Sequence, residues 1–304
     1  MNFGKLQDIS SVDFALPPEH ERTTRVLEMS ARSFDGPPRF YVGTTGWSNP
    51  GWIGKWYPAK VKPVDLLKHY NHHFNTIELN TTHYRIPGAD LVDRWHDQVE
   101  TGFLFCPKIP HQISHLSKLR AEEPTLRFAE AMSRLGNKLG PYFIQLPDHH
   151  GPGDLRFIQG FLGIWPQGRA LHWELRHPDW FSASGGAAGE GWDGLEAAGH
   201  GTVITDVAGR RDVLHMQLTT PVVMLRFVGN GLHPTDYTRS DEWIARITDW
   251  SKRGLRAAFI FLHQPDMGLV PDLVGYWAKA LNRNLNLQIT VPRLIAQGIQ
   301  GSLF

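Results

Sequence analysis

From Phe40 onward, short apolar runs alternate with amphipathic stretches of helical period. FYVGT leads through a long loop to VDLLKHYNHHF; TIELN is followed by ADLVDRWHDQV, FLFCPK by LRFAEAMSRLGNKL, and YFIQLP by DLRFIQGFLGIW. LHWELRHP then precedes a glycine-rich loop and GWDGLEAAG, TVITD precedes RRDVLHMQL, VVMLRFVG precedes DEWIARITDW, and AAFIFLHQP precedes LVGYWAKALN. Each unit is strand, loop, helix. Such alternation predicts a parallel sheet, and eight repeats favour a closed sheet over an open doubly wound one. The expected fold is α/β, a single (β/α)8 TIM-type barrel over residues 39–304. Residues 1–38 are polar and carry Pro17, Pro18, Pro37 and Pro38, with a helix-like piece only around Glu21–Met29, so they read as a polar N-terminal arm.

Residues two apart in a strand share a face, and a barrel strand turns one face to the helices and the other to the lumen. In the second strand Ile77 and Leu79 oppose Thr76, Glu78 and Asn80; in the fifth, Leu171, Trp173 and Leu175 oppose His172, Glu174 and Arg176. The same phase sets Lys108 behind Leu104 and Cys106, Asp206 behind Ile204, Arg226 behind Val222 and Met224, and His263 behind Phe259 and Phe261. Each polar residue falls near its strand's C-terminal end, the end at which barrel enzymes build their sites.

Composition narrows the classes. With 31 Lys and Arg against 30 Asp and Glu, the formal charge is +1, so no global field gathers a polyanion and nucleic acid is an unlikely partner. Cys106 is the only cysteine, which excludes an intrachain disulfide framework and a thiolate metal cage and fits a reducing, cytoplasmic setting. No signal-like N-terminus and no apolar run of about 18 residues is present, so neither export nor a membrane span is expected.

Five stretches, taken in order, carry a family resemblance: GTTGWS (Gly43–Ser48), FNTIELNTTHYR (Phe74–Arg85), PKIPHQISH (Pro107–His115), KLGPYFIQLP (Lys138–Pro147) and WELRHPDWF (Trp173–Phe181). From about Tyr41 to about Asn282 the chain resembles the YecE-like family, domain of unknown function 72. The resemblance implies a barrel and a cytoplasmic protein but no settled activity. His83 stands where such sequences are usually aromatic, and His263–Gln264–Pro265 closes the eighth strand where asparagines are usual.

Function therefore rests on the residues. Glu78, Glu174 and Asp206 supply carboxylates and Lys108, Arg176 and Arg226 supply cations, a formally neutral set. Neighbouring strands lie about 4.8 Å apart, so Glu78 is expected to meet Lys108, and Asp206 to meet Glu174 or Arg226. A carboxylate beside a lysine in a restricted pocket suits proton transfer, the cation stabilising a developing oxyanion. Glu174 is the first candidate acid/base and Asp206 the second, with Lys108 and Glu78 completing the catalytic set. Trp47, Asn80, Gln145, His172, Arg176, His177, Arg226 and His263 are the candidate substrate-binding residues. The pattern points to a hydrolase, isomerase or lyase acting on a small polar or anionic substrate such as a sugar or sugar phosphate. No cofactor is predicted. A divalent metal on Glu78, Glu174, Asp206 and His263, serving a phosphodiester or sugar enzyme, is one alternative; a non-catalytic metabolite-binding or regulatory barrel is another; a self-neutralising structural ion ring is a third.

Weaker signals surround this set. A Schiff-base role for Lys108 needs a lowered pKa, which a neighbouring Glu78 would oppose. His111 and His115 read as ordinary surface or capping histidines. The loop after the first strand brings Trp47, Trp52, Trp56 and Tyr57 to the same face, where Trp52 and Trp56 read as a small satellite core as readily as a ligand platform. SASGGAAGEG reads as a mobile lid or insertion, and the glycines of RFVGNG resemble barrel phosphate loops.

Overall fold

A computed structural model describes residues 4–182 and 186–295 of the protein. Its strands are β1 (Arg39–Thr44), β2 (Thr76–Leu79), β3 (Leu104–Pro107), β4 (Tyr142–Gln145), β5 (Leu171–Glu174), β6 (Gly201–Asp206), β7 (Val222–Val228) and β8 (Ala257–His263). They pair in parallel in the order β3-β2-β1-β8-β7-β6-β5-β4. The ends of that order also meet: bridges join Phe105 to Leu139 and Lys108 to Phe143, and Ile109 N donates to Phe143 O at 2.8 Å. Closure at this seam makes the sheet the expected (β/α)8 barrel. At Gly43 a Cβ would lie 2.1 Å from the Thr76 carbonyl oxygen, so β1 and β2 approach this closely only because the position is glycine.

Nine helices are described: α1 (Glu21–Ser33), α2 (Leu66–Asn71), α3 (Ala89–Gln98), α4 (Glu122–Ser133), α5 (Leu155–Ile164), α6 (Asp179–Ser182), α7 (Gly186–Ala197), α8 (Pro234–Lys252) and α9 (Val270–Leu285). None among the described residues is long and apolar enough to cross a membrane. Helix α7 begins at Gly186, earlier than the glycine-rich sequence suggested, so six of the ten residues of the expected lid belong to it; residues 183–185 of that stretch lie outside the described residues.

The stretch after β6 departs from expectation. RRDVLHMQL forms one 3-10 turn at Arg211–Val213 and then runs extended down the outside of β6. His215 Nε2 lies 3.3 Å from Val203 O, Thr202 Oγ1 donates to Gln217 O at 2.9 Å, and Thr219 Oγ1 donates to His200 O at 2.6 Å. Leu214, Met216 and Leu218 alternate with His215 and Gln217, a period of two that suits extended chain better than helix.

Cover for this segment comes from the N-terminus. Thr23 Oγ1 donates to Met216 O and accepts from Leu218 N, both at 2.8 Å, while Leu27 joins the main core. Arg22 pairs with Asp193 at 2.6 Å and with Glu196 at the end of α7; Glu19 meets Arg253 at 2.7 Å and Trp250 Nε1 at 2.6 Å at the end of α8. The arm is thus docked, its helix longer than the sequence indicated and lodged where the missing helix after β6 leaves the barrel uncovered.

Two apolar clusters follow from the strand phase. The larger lies between strands and helices; the smaller fills the lower lumen with Cys106, Phe143, Val203, Met224, Phe259 and Phe261. On this apolar floor, at the C-terminal strand ends, stand the charged side chains.

Candidate functional site

Arg226, on β7 and 1% exposed, is the hub of the constellation. Its Nε donates to Glu78 Oε2 and its Nη2 to Glu78 Oε1, each at 2.9 Å, while Nη1 lies 3.0 Å from Glu174 Oε2 and 3.2 Å from Oε1. One planar fork therefore spans the lumen and joins β2 to β5. Every other lone-pair direction of the carboxylates is also engaged. Glu78 accepts from Asn80 Nδ2 at 2.8 Å and faces His263 Nε2 at 3.1 Å. Glu174 accepts from Gln145 Nε2 at 2.8 Å, Arg176 Nε at 2.8 Å and Thr205 Oγ1 at 3.0 Å.

Lys108 does not meet Glu78. Its ammonium donates to Gln145 Oε1 at 2.8 Å, so the amide relays between it and Glu174. The Phe143 ring underlies both cations, with Lys108 Nζ and Arg226 Cζ each 5.9 Å from its centroid, near the outer limit of a cation–π contact.

These contacts set the protonation states. Burial opposes ionisation of Glu78, but Arg226 and His263 outweigh it and hold the carboxyl well below its usual range. Burial is likewise overcome at Glu174 by Arg176, Arg226 and Lys108, and its pKa falls to about 2. Burial acts on Lys108 in concert with Arg226 and Arg176, against the weaker pull of Glu174 and Glu78, and brings its pKa down to about 8. Both glutamates are thus fixed anions, whereas the lysine titrates near neutrality. Glu174, the first candidate for proton transfer, is thereby biased toward its anion, and Lys108 is the lumen group brought nearest to neutral pH.

Asp206 lies outside this set. Thr205, not Asp206, faces the lumen from β6; Asp206 turns outward, takes Trp243 Nε1 at 2.7 Å and Arg239 Nη2 at 2.8 Å from α8, and pairs with Arg211. Its expected meeting with Glu174 or Arg226 does not occur. With Asp206 removed, the charged side chains named above that share the lumen are Lys108, Arg176 and Arg226 with Glu78 and Glu174.

Other candidates separate in the same way. His172 faces the lumen below Glu174, where burial holds its pKa near 3; Gly201 makes room for the ring, since a Cβ there would come within 2.3 Å of it. His177 accepts from Asp179 N at 3.2 Å and so caps α6. Trp47 packs edge-on against Trp95 of α3, with centroids 5.9 Å apart. Trp52 is fully buried with Tyr57 and Tyr70, the satellite core that was one of its two readings. Of the four candidate metal ligands only Glu78 and His263 touch, at 3.1 Å, while Asp206 is engaged by Arg239, Trp243 and Arg211, and among the described residues no group of three or more His, Cys, Asp and Glu is arranged to hold a metal ion. After β7, the amides of a would-be phosphate loop are already taken: Asn230 N by both Asp236 oxygens at 2.9 and 2.8 Å, and Gly231 N by Gln264 Oε1 at 2.7 Å.

A wall of three imidazoles was undervalued in the sequence. His83, His111 and His115 gather beside the charged set, with ring centroids 5.5, 5.5 and 4.5 Å apart. Burial and the nearby cations, Lys108 among them, bring His83 and His115 to about 4, so both are neutral at pH 7. The backbone that carries His111 and His115 is irregular, a π turn over Gln112–Leu116 followed by left-handed Lys118 and Leu119 (φ 48° and 66°), a combination that clusters at functional sites. The departure of His83 from the usual aromatic was the available signal.

A family model described as "Protein of unknown function DUF72" matches residues 41–295. The UPF0759 protein YecE of Escherichia coli (strain K12) is 31% identical over 280 residues, an alignment covering 84% of this chain and 98% of that protein. Among solved structures, a DUF72 family protein from Enterococcus faecalis V583, EF0366, superposes with a TM-score of 0.65 at 18% identity, covering 83% of this chain and 99% of that one. The DUF72 family protein TM1631 from Thermotoga maritima MSB8 gives 0.61 at 22% identity, covering 80% and 99%. These structural likenesses bear on the fold alone.

Proposed function

The chain belongs to the DUF72 family, whose description brings no activity with it, and from its own residues we propose a cytoplasmic enzyme that performs acid/base chemistry on a small polar or anionic substrate at the mouth of the barrel. One observation carries the proposal: Lys108 is buried, hydrogen-bonded to an amide instead of a carboxylate, and has a pKa of about 8. A group titrating near the working pH serves both as base and as acid, and roughly a tenth of such a lysine is neutral at pH 7.

In this reading the neutral amine of Lys108 takes a proton from substrate carbon and the resulting ammonium returns it. Arg176 supplies positive charge to the developing oxyanion. Gln145 orients Lys108 through its Oε1, and the Glu78–Arg226–Glu174 bridge holds the surrounding groups rigid, so little reorganisation is needed as charge develops. The buried single thiol of Cys106 fits a reducing compartment.

Incubation in D2O with a panel of small sugars, sugar acids and keto-acids, followed by NMR, tests the step directly. Deuterium is expected to enter one compound with the native protein and none with a folded Lys108→Gln variant. Equal labelling by the variant, or labelling of no compound, overturns the proposal. The saturated hydrogen bonding of Glu78 and Glu174 favours a second reading, a metabolite-binding barrel without turnover, which binding without exchange would select.

A further inference from the structure

The charged side chains stand at the strand ends from which the loops leave, yet they are closed off. Lys108 is 2% exposed, Glu174 1% and Glu78 0%. A substrate reaches the Lys108 amine only after something at the mouth moves.

Three of the surrounding loops are fastened to the body of the barrel. The loop after β1 is anchored by buried Trp52, Trp56 and Tyr57, and the one after β3 by Ile109, Ile113 and Leu119. After β7, Asp236 and Gln264 hold the backbone of Asn230 and Gly231. The loop after β6 differs. Val207 and Ala208 are buried but belong to neither apolar cluster, and it is the N-terminal arm that packs on Val207. Gly209 N donates to Gly4 O at 2.9 Å; a Cβ on Gly4 would lie 2.8 Å from Val207, and one on Gly209 would lie 2.8 Å from Gly4 O. The two backbones meet with no room for a side chain between them.

Further along the arm, Arg211 Nη2 donates to Phe14 O at 2.9 Å and to Ala15 O at 3.0 Å, and the Phe14 ring lies 4.8 Å from Arg239 Cζ and 5.5 Å from Arg211 Cζ. From the other side of the same loop, Arg210 Nη2 donates to Arg176 O at 2.7 Å, just past the end of β5. Arm, loop and rim of the lumen are thus joined in series. The arm also suits release. From Gly4 to Glu19 it contains neither helix nor strand, so its grip lies in separate contacts, whereas α1, beyond Pro17 and Pro18, is lodged against the core through Leu27. Segments with few buried contacts open locally at low free energy while the fold stays intact.

We propose that residues 4–15 form a strap that holds the loop after β6 against the barrel mouth, and that access to Lys108 runs through release of this strap. α1 is the fixed end and Pro17–Pro18 the hinge. The inference rests on the proposed function only in taking Lys108 as the group to be reached; a gate serves turnover and binding alike.

Reductive methylation with formaldehyde and a borane at pH 8, read by peptide mass spectrometry, measures that access, because a buried amine is labelled at a rate set by the population of its open form. In the native protein Lys108 is expected to label slowly against exposed Lys60. Gly209→Val drives its side chain into the Gly4 backbone, and Phe14→Ala removes the ring that lies on Arg239 and Arg211. Lys108 is expected to label at least about tenfold faster in the first variant and about threefold faster in the second, the latter matching loss of a moderate cation–π contact. Lys138 is the control: buried just before β4, at the opposite end of the strands, with Nζ donating to His96 O and Val99 O at 2.6 Å each, it should label at its native rate in both. Native Lys108 labelling as fast as Lys60, acceleration in neither variant, acceleration in Gly209→Val alone, or Lys138 accelerating in step with Lys108 overturns the inference. None of these results bears on whether Lys108 moves a proton, which deuterium exchange decides separately.

Discussion

Arg226 and Glu78 meet as a two-bond fork, 2.9 Å on each side, although they come from strands separated by β8 and β1 in the barrel order. The contact crosses the lumen instead of following the sheet, and its third nitrogen reaches Glu174. Removing the guanidinium would leave two buried carboxylates without their bridge. Arg226→Met is expected to lose about 3–5 kcal/mol at pH 7 in urea unfolding, and less near pH 4, where protonation relieves the uncompensated charge. A loss below about 1 kcal/mol would contradict the bridging role.

Acid should unfold the protein partly through Glu174. Its folded pKa of about 2 lies below the ordinary value of 4.5, so the stability it contributes is complete above about pH 4.5 and is lost as pH falls toward 2. The contribution is on the order of 3 kcal/mol. Chemical denaturation across that window should show the loss, and Glu174→Gln should flatten the profile there.

Lys108 works in the opposite sense. Its folded pKa of about 8 lies below the usual 10.5, so the folded state carries a cost below pH 8 that disappears as pH rises to about 10.5. Lys108→Met is expected to stabilise the fold at pH 7, by on the order of 2 kcal/mol after loss of the Gln145 bond, with the gain gone by about pH 10.5. Thermal unfolding at the two pH values checks this, and a variant less stable than the native protein at pH 7 would refute it.

Asp206→Asn separates structure from chemistry. It would leave Arg239, itself 1% exposed, without its 2.8 Å carboxylate partner and weaken the acceptor of Trp243. A loss of about 3 kcal/mol in unfolding free energy is expected, with deuterium exchange unaltered in the protein that remains folded. Altered exchange would return Asp206 to the site.

At the other end of the barrel, Thr23→Val removes a hydroxyl that serves Met216 O and Leu218 N at once. A cost of about 1–3 kcal/mol is expected, with faster amide hydrogen exchange confined to residues 214–219 and α1.

Much of this was legible beforehand, and the exceptions share a cause. β2 and β5 alternate cleanly, so Glu78, Glu174 and Arg176 were assigned to the lumen correctly. In β6 both Val203 and Ile204 are apolar, so neither phase stands out, and an error of one position exchanges Thr205 for Asp206. Strand spacing identified Lys108 as a neighbour of Glu78 but could not show that the longer Arg226 would reach Glu78 first from across the lumen. Burial first, and then the charge of Arg226, bring the pKa of Lys108 down, and neither can be read from strand spacing. The helix expected after β6 is absent because Leu214–Leu218 alternates with a period of two, which outweighs the rhythm of the repeat.

The docked N-terminal helix also imposes an order of events. α1 precedes its partners in the chain by most of the barrel: Thr23 pairs 193 residues downstream with Met216, and Glu19 pairs 234 residues downstream with Arg253. The helix must wait, undocked, until the chain through Arg253 has left the ribosome. A hydrophilic arm tolerates that wait better than an apolar one, because it offers little surface on which unfinished chains could stick to one another. Its few apolar side chains, Val26 and Leu27 among them, are covered only when the last third of the barrel arrives, so closing the α1 seam is expected among the late steps of folding.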